Sequence, residues 1–218
     1  MLQISNYDVF IFDCDGVILD SNQLKIKAME QAIIKSIGSH SKISNCIDYF
    51  KKNFGSSRFH HVDYFVNEVF CLSGNEKDKV YNNILSNYSE QCKALYLTCN
   101  LTPGILDFIT SLNGKVYVAS GSEQTELRQV FEERKLDSYF EKIYGSPVAK
   151  VELVATIREN EPDKKIVMFG DALSDLRAAS HNLIDFVAYL PFSNVTNELK
   201  EESLKRGYTT INSWSLNQ

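Results

Sequence analysis

Val9-Phe10-Ile11-Phe12 is a run of four apolar residues that stops abruptly on Asp13-Cys14-Asp15-Gly16. No other feature constrains the fold so strongly. A short apolar run without alternation reads as a strand buried on both faces, as in a parallel sheet covered by helices on either side. Ligands of open α/β sheets bind beyond the carboxyl ends of the strands. The polar residues that follow such a run therefore stand where chemistry is done.

Further along the chain the same pattern recurs. The spacing predicts a helix over 21–38, with Leu24, Ala28, Ala32 and Ile33 on its buried face, Ser21 as cap and Gly38 as stop. From about Lys42 to Leu95 the pattern is helical throughout, with breaks at Gly55 and Gly74 and no strand. After Pro103-Gly104 strands and helices alternate: a helix ending at Gly114, the strand KVYVAS, an amphipathic helix carrying Leu127, Val130 and Phe131, and a weak strand EKIYG. The helix VELVATIREN, the strand KIVMFGD, the helix ALSDLRAASHN and the strand DFVAYL follow. Such alternation predicts a doubly wound parallel α/β sheet of Rossmann-like type with an all-helical insert. The expected division is a core of 1–17 plus 98–218 and a helical domain of 18–97.

Composition narrows the function classes. A formal net charge of -5 without any concentration of Lys and Arg argues against nucleic acid as a partner. Five cysteines, odd in number and without a Cys-x-x-Cys pair, point to reduced thiols rather than disulfides or zinc, and so to a cytoplasmic setting. The N-terminal apolar stretch is short and ends in an aspartate, so it reads as a strand and not a signal peptide. No run is long enough to span a bilayer.

The strand ends carry the chemistry. Asp13 and Asp15 follow the first strand, Ser120-Gly121 the second, Lys150 the weak third, and Gly170-Asp171 the fourth, with Asp175 one helical turn on. Carboxylates gathered on one rim stay ionised together only around a cation, and oxygen-only ligands favour Mg2+. A bound dication would attract a phosphate, whose oxygens Ser120, Lys150 and the N–H groups near Gly121 can hold. A carboxylate such as Asp13 can then attack phosphorus, while Asp15 transfers protons. Each element alone is weak evidence: DxD also occurs in sugar-nucleotide transferases, and a serine after a strand is commonly a turn residue. Their ordered placement on successive strand ends is the signal.

Asp13-Cys14-Asp15-Gly16-Val17, Ser120, Lys150 and Gly170-Asp171-Ala172-Leu173-Ser174-Asp175 together resemble the four motifs of the haloacid dehalogenase superfamily. They resemble in particular the branch with a helical cap, which includes phosphoglycolate phosphatases and β-phosphoglucomutases. The resemblance implies Asp13 as nucleophile and Mg2+ ligand. It implies Asp15 as acid/base, its carbonyl also a ligand, and Ser120, Gly121 and Lys150 as phosphate binders. Asp171 matches the third protein ligand and Asp175 a supporting one. Dehalogenases of the superfamily lack the second aspartate, so Asp15 favours phosphoryl chemistry. Lys150 lies several residues past Ser146-Pro147 where the family often has Lys-Pro at once, which leaves Lys142 and Lys164 as alternatives. The implied activity is hydrolysis of a small phosphorylated metabolite. A phosphomutase, a non-catalytic binding module and a DxD transferase are the rival readings.

Within the insert, Arg58 follows the break at Gly55 and is expected either to touch substrate or to be a solvated surface residue. Of His60 and His61, adjacent and so on different helix faces, one is expected at the surface and one packed inside. Cys14, between two aspartates, is not expected to act as a thiol nucleophile.

Overall fold

The computed structural model describes residues 3–215. Strand β1 (Val9–Phe12) lies at the centre of a six-stranded sheet with β2 (Lys115–Glu123), β3 (Lys142–Ser146), β4 (Ile166–Gly170), β5 (Asp185–Tyr189) and β6 (Thr209–Ile211). Their order is β3-β2-β1-β4-β5-β6, and every pairing is parallel. The predicted Rossmann-like α/β core is what the chain forms. β1 is buried along its whole length because both faces are covered. Phe10 and Phe12 point into a layer that includes Phe108, Val118, Phe131 and Phe169. Val9 and Ile11 point into the opposite layer with Val154, Ile157, Met168 and Leu176, as the two-residue period of a strand requires.

The crossovers are helical: α6 (Gln124–Glu133), α7 (Lys150–Asn160) and α8 (Leu173–His181) each connect one strand to the next. Two elements were not legible in the sequence, α9 (Thr196–Lys205) and the edge strand β6. The helix after Pro103, α5 (Ile105–Ser111), stops before the expected Gly114. β2 runs on through Ser120-Gly121-Ser122 with a register irregularity between Ala119 and Glu123, so Ser120 lies inside the strand and not after it.

Between β1 and α5 lie α1 (Asn22–Ile37), α2 (Ile43–Lys52), α3 (Arg58–Tyr64), a π-helical turn Phe65–Val69 and α4 (Gly74–Thr98). Among the described residues of this stretch no helix is long and apolar enough to cross a membrane. Of the expected buried face of α1, Ala28, Ala32 and Ile33 are buried and Leu24 is 38% exposed; Lys25, Ile26 and Met29 are buried beside them. Ser21 makes no capping bond, because its hydroxyl is used elsewhere.

Two chain segments join the helices to the sheet and lie side by side. Leu19 bridges Leu101, the Thr102 N–H donates to Ile18 O at 2.9 Å, and the Asp20 N–H donates to Asn100 O at 2.9 Å. Thr102 Oγ1 donates to Val17 O and accepts from Trp214 Nε1 at 3.0 Å. Trp214 also stacks on Tyr189 and Phe108, with ring centroids 4.2 and 5.2 Å apart. It thereby ties the C-terminal segment to the joint between sheet and helices. Trp214→Ala removes a buried ring and the hydrogen bond that the Thr102 hydroxyl accepts. The expected loss is about 3–5 kcal/mol, read from the urea midpoint at unchanged slope.

Candidate active site

Asp13 is the first residue past β1 and Asp171 the first past β4; the register pairs Phe12 with Phe169, so Asp171 stands one residue beyond Asp13 on the neighbouring strand end. Asp175 enters from the first turn of α8, and Lys150 opens α7. One carboxylate oxygen from each of Asp13, Asp171 and Asp175 falls within 4.8 Å of the others. Lys150 Nζ lies 2.8 Å from Asp13 Oδ1 and 2.5 Å from Asp175 Oδ1. Of the three candidate lysines it is the one at the carboxylates, since Lys142 starts β3 and Lys164 sits near Asp8 at the surface.

All four groups are buried. Burial raises the Asp13 carboxyl to about 7, and repulsion from Asp175 adds to it against the pull of Lys150. Burial, with Asp13 and Asp175 nearby, holds Asp171 well above the usual carboxylate range. Burial opposes the charge on Lys150, but the two aspartates outweigh it and raise the ammonium above ordinary lysine. Asp175 is saturated with donors: Oδ2 accepts from the N–H groups of Asp171 and Ala172 at 3.2 and 3.0 Å, and Oδ1 faces Lys150. It supports the loop that carries Asp171. Lys150 faces Asp13 Oδ1, while Asp13 Oδ2 and Asp171 Oδ1 accept no hydrogen bond. Buried carboxylate oxygens left without donors, converging from three aspartates, are the arrangement a hard dication fits.

Asp15 lies two residues on, but its side chain is absent from that cluster. Its carboxylate accepts from Ser21 Oγ at 2.6 Å, Lys25 Nζ at 2.7 Å, Tyr96 OH at 2.8 Å and Ser122 Oγ at 2.9 Å. Burial alone would raise its pKa; Lys25 and the hydroxyl donors outweigh burial and lower it. Three of the four donors come from the helical segment or its approach, and Ser122 from β2. None of these donors stood out in the sequence. Lys25 carried a signal all the same, for a lysine in the apolar stripe of α1 needs a buried partner.

Ser120 is fully buried and its Oγ accepts from the Ser122 N–H at 3.1 Å. Gly121 is under the loop that leads into α3. A Cβ there would sit 2.2 Å from Gly55 O, so glycine is what lets the two backbones meet. Gly16 holds φ at +75°, and a Cβ would lie 2.3 Å from Asp171 Oδ2. That turn needs glycine for both reasons. Asn22 Nδ2 donates to Asp171 Oδ2 at 2.6 Å and to Phe192 O at 2.8 Å, orienting the carboxylate from α1.

Arg58 is neither solvated nor free. Its guanidinium grips Glu126 of α6 with two bonds of 3.0 and 2.6 Å, and Ser89 also donates to Glu126. The arginine thus latches the helical segment to the sheet domain. Ser174 Oγ, donating to Phe54 O at 3.1 Å, adds a second tie. His60 is exposed and pairs with Tyr49 OH, while His61 is buried. Cys14 is buried, and burial with the flanking aspartates pushes its thiol far up, which keeps it inert.

The chain belongs to the haloacid dehalogenase-like hydrolase family, whose model matches residues 7–181. Its fold is similar to a predicted phosphatase from Clostridium acetobutylicum, with a TM-score of 0.73, 21% identity and coverage of 96% of this chain and 95% of that one. It is also similar to a predicted phosphoglycolate phosphatase from Haemophilus somnus, with a TM-score of 0.63, 14% identity and coverage of 86% and 87%. A third similarity is to the HAD-hydrolase YfnB of Bacillus subtilis in a magnesium-bound form, with a TM-score of 0.60, 14% identity and coverage of 85% and 90%. At these identities the likeness shows the fold. No curated protein sequence matches the chain significantly.

The contact between Gly121 and the loop at Gly55 yields a direct test. In Gly121→Ala the added methyl meets backbone on the loop side, so the loop must lift. Hydrogen exchange at residues 53–57 is expected to quicken about 10-fold or more while the sheet core keeps its protection.

Proposed function

We propose that this chain is a phosphatase that hydrolyses small phosphate monoesters in two steps through an aspartyl phosphate on Asp13. The observation that carries the reading is the pairing of two aspartates in opposite environments on one strand end. Asp13 lies in a carboxylate cluster beside Lys150, whereas Asp15 lies in a separate cradle of proton donors. A dication held by the cluster would keep Asp13 ionised as a nucleophile, and Asp15, outside the cluster, would be left to carry protons.

In the first step an Asp13 oxygen attacks phosphorus and the ester bond to the alcohol breaks. Asp15, when it carries the proton, delivers it to the departing oxygen. In the second step Asp15 takes a proton from water, which attacks the phosphorus of the aspartyl phosphate. Inorganic phosphate leaves and the Asp13 carboxylate is restored. Ser120, the N–H of Gly121 and Lys150 would hold the non-bridging oxygens. Lys150 would also neutralise charge as it builds. Asp13, Asp171 and the Asp15 carbonyl would hold Mg2+, with Asp175 in support. Mg2+ so bound would supply charge neutralisation and polarise a phosphoryl oxygen. The ionised resting form of Asp15 suits the second step.

Two outcomes test this. Asp13→Asn should lower phosphate release from a panel of phosphate esters by about 10^3-fold or more with the melting temperature kept, and beryllium fluoride with Mg2+ should raise the melting temperature of the wild type but not of the variant. Retained turnover in Asp13→Asn would remove the nucleophile from the reading. Lys25→Met should lower kcat by about 10^2-fold or more, with Lys25→Arg recovering part of it, since it strips the acid/base of its charged partner.

A further inference from the structure

Between the sheet rim and the helical segment lies a small cavity of about 10 Å³, bordered by Asp15, Lys25, Phe54, His61, Tyr88 and Ser122. That is the room of about one water molecule, or of one hydroxyl group. It adjoins Asp15, so a hydroxyl on the alcohol half of an ester bound at Asp13 would reach it. His61 is 1% exposed; neither ring nitrogen makes a well-formed hydrogen bond, and the Ser56 backbone interacts with the ring only weakly. Two polar atoms buried together without partners are costly unless something that binds there satisfies them. Phe50, with its ring centroid 4.6 Å from that of His61, packs beside the imidazole.

The chemistry of the cavity selects among leaving groups. Both cations that reach it are already matched, Lys25 by Asp15 and Arg58 by Glu126. Burial, with His60 and Lys25 nearby, lowers His61 to about 3, so its ring is neutral. A neutral imidazole offers one donor and one acceptor. The two nitrogens point apart, so one hydroxyl pairs with whichever faces it, and it can do so as donor or as acceptor. A carboxylate only accepts; it would meet the ring's lone pair without a proton to share and would find no unmatched cation.

We propose that His61 is a specificity residue that hydrogen-bonds a hydroxyl on the alcohol half of the substrate, so that the preferred esters are short, hydroxylated alkyl phosphates. This rests on the phosphatase reading and names its substrate class. A plain alkyl group leaves the His61 nitrogens unpaired, and a longer alcohol has to displace the loop at Gly55.

The test compares three phosphates of similar size: glycerol 3-phosphate, propyl phosphate and 2-phosphoglycolate. Wild-type kcat/KM should favour glycerol 3-phosphate over each of the others by about 10-fold or more. In His61→Phe, which replaces one ring by another among aromatic neighbours, the ratio to propyl phosphate should fall to about 1. His61→Gln keeps a donor and an acceptor and should retain part of the ratio. If His61→Phe fails to fold, His61→Ala co-varied with the same ratio decides. A wild-type ratio near 1, a preference for 2-phosphoglycolate, or an unchanged ratio in the variants would overturn the assignment. The same contact is read without turnover from the His61 ring 15N signals of Asp13→Asn protein, which should shift with glycerol 3-phosphate and not with propyl phosphate. Shifted signals alongside a wild type that releases no phosphate would leave the His61 contact standing and remove the phosphatase reading. Turnover without a shift or a ratio would do the reverse.

Discussion

Everything at the rim of this sheet is arranged around one electrostatic problem, the burial of three carboxylates within reach of one another and of a single lysine. Removing an ion from water costs several kcal/mol even after relaxation, and losing one member of a buried pair costs about 3–5 kcal/mol. Lys150 offsets part of the repulsion by standing between Asp13 and Asp175. Backbone N–H groups answer Asp175, and Asn22 answers Asp171. What is left over, on Asp13 and one oxygen of Asp171, is the reactive remainder. Stability would favour hydrophobic residues here; the arrangement makes sense as a site.

The second aspartate shows the same economy with the opposite outcome. Asp15 is as deeply buried as Asp13, yet four donors surround it, and Lys25 and Tyr96 reach it from helices outside the sheet domain. Its ionisation therefore depends on the helices being docked. Arg58 on Glu126 and Ser174 on Phe54 hold them there. The contact between helices and sheet and the orientation of Asp15 are consequences of one docking geometry.

The sheet and the residues on its strand ends were legible because strand burial and strand-end polarity are local signals. Val9 to Phe12 is apolar at every position, and Asp13, Ser120 and Asp171 follow from where apolar runs end. The edge strand β6 was not legible. Thr209-Thr210-Ile211 is three residues long and half-buried, and pairs on one side only. On α1 the expected Ala28, Ala32 and Ile33 are inside, but Leu24 is exposed and Lys25 takes the buried place at the start of the stripe, where a lysine belongs only by virtue of Asp15. Arg58 was undecidable from sequence, since its partner lies 68 residues away in another element. Long-range polar pairing has no local pattern to announce it.

The two segments that join the helices to the sheet carry a consequence for how the chain reaches its fold. β1 has to wait for β2, which pairs with it from more than a hundred residues downstream: Val9 lies opposite Lys115. Closing so large a loop in a disordered chain is slow as well as entropically unfavourable. The helices α1 to α4 within that loop are locally encoded, and the α1–α4 packing brings the ends of their stretch together at Leu19 and Leu101. Once those helices associate, the search for the β1–β2 pairing shrinks to a few residues on either side. The part of the chain that surrounds Asp15 with its partners thereby also acts as a kinetic bracket for the central strand.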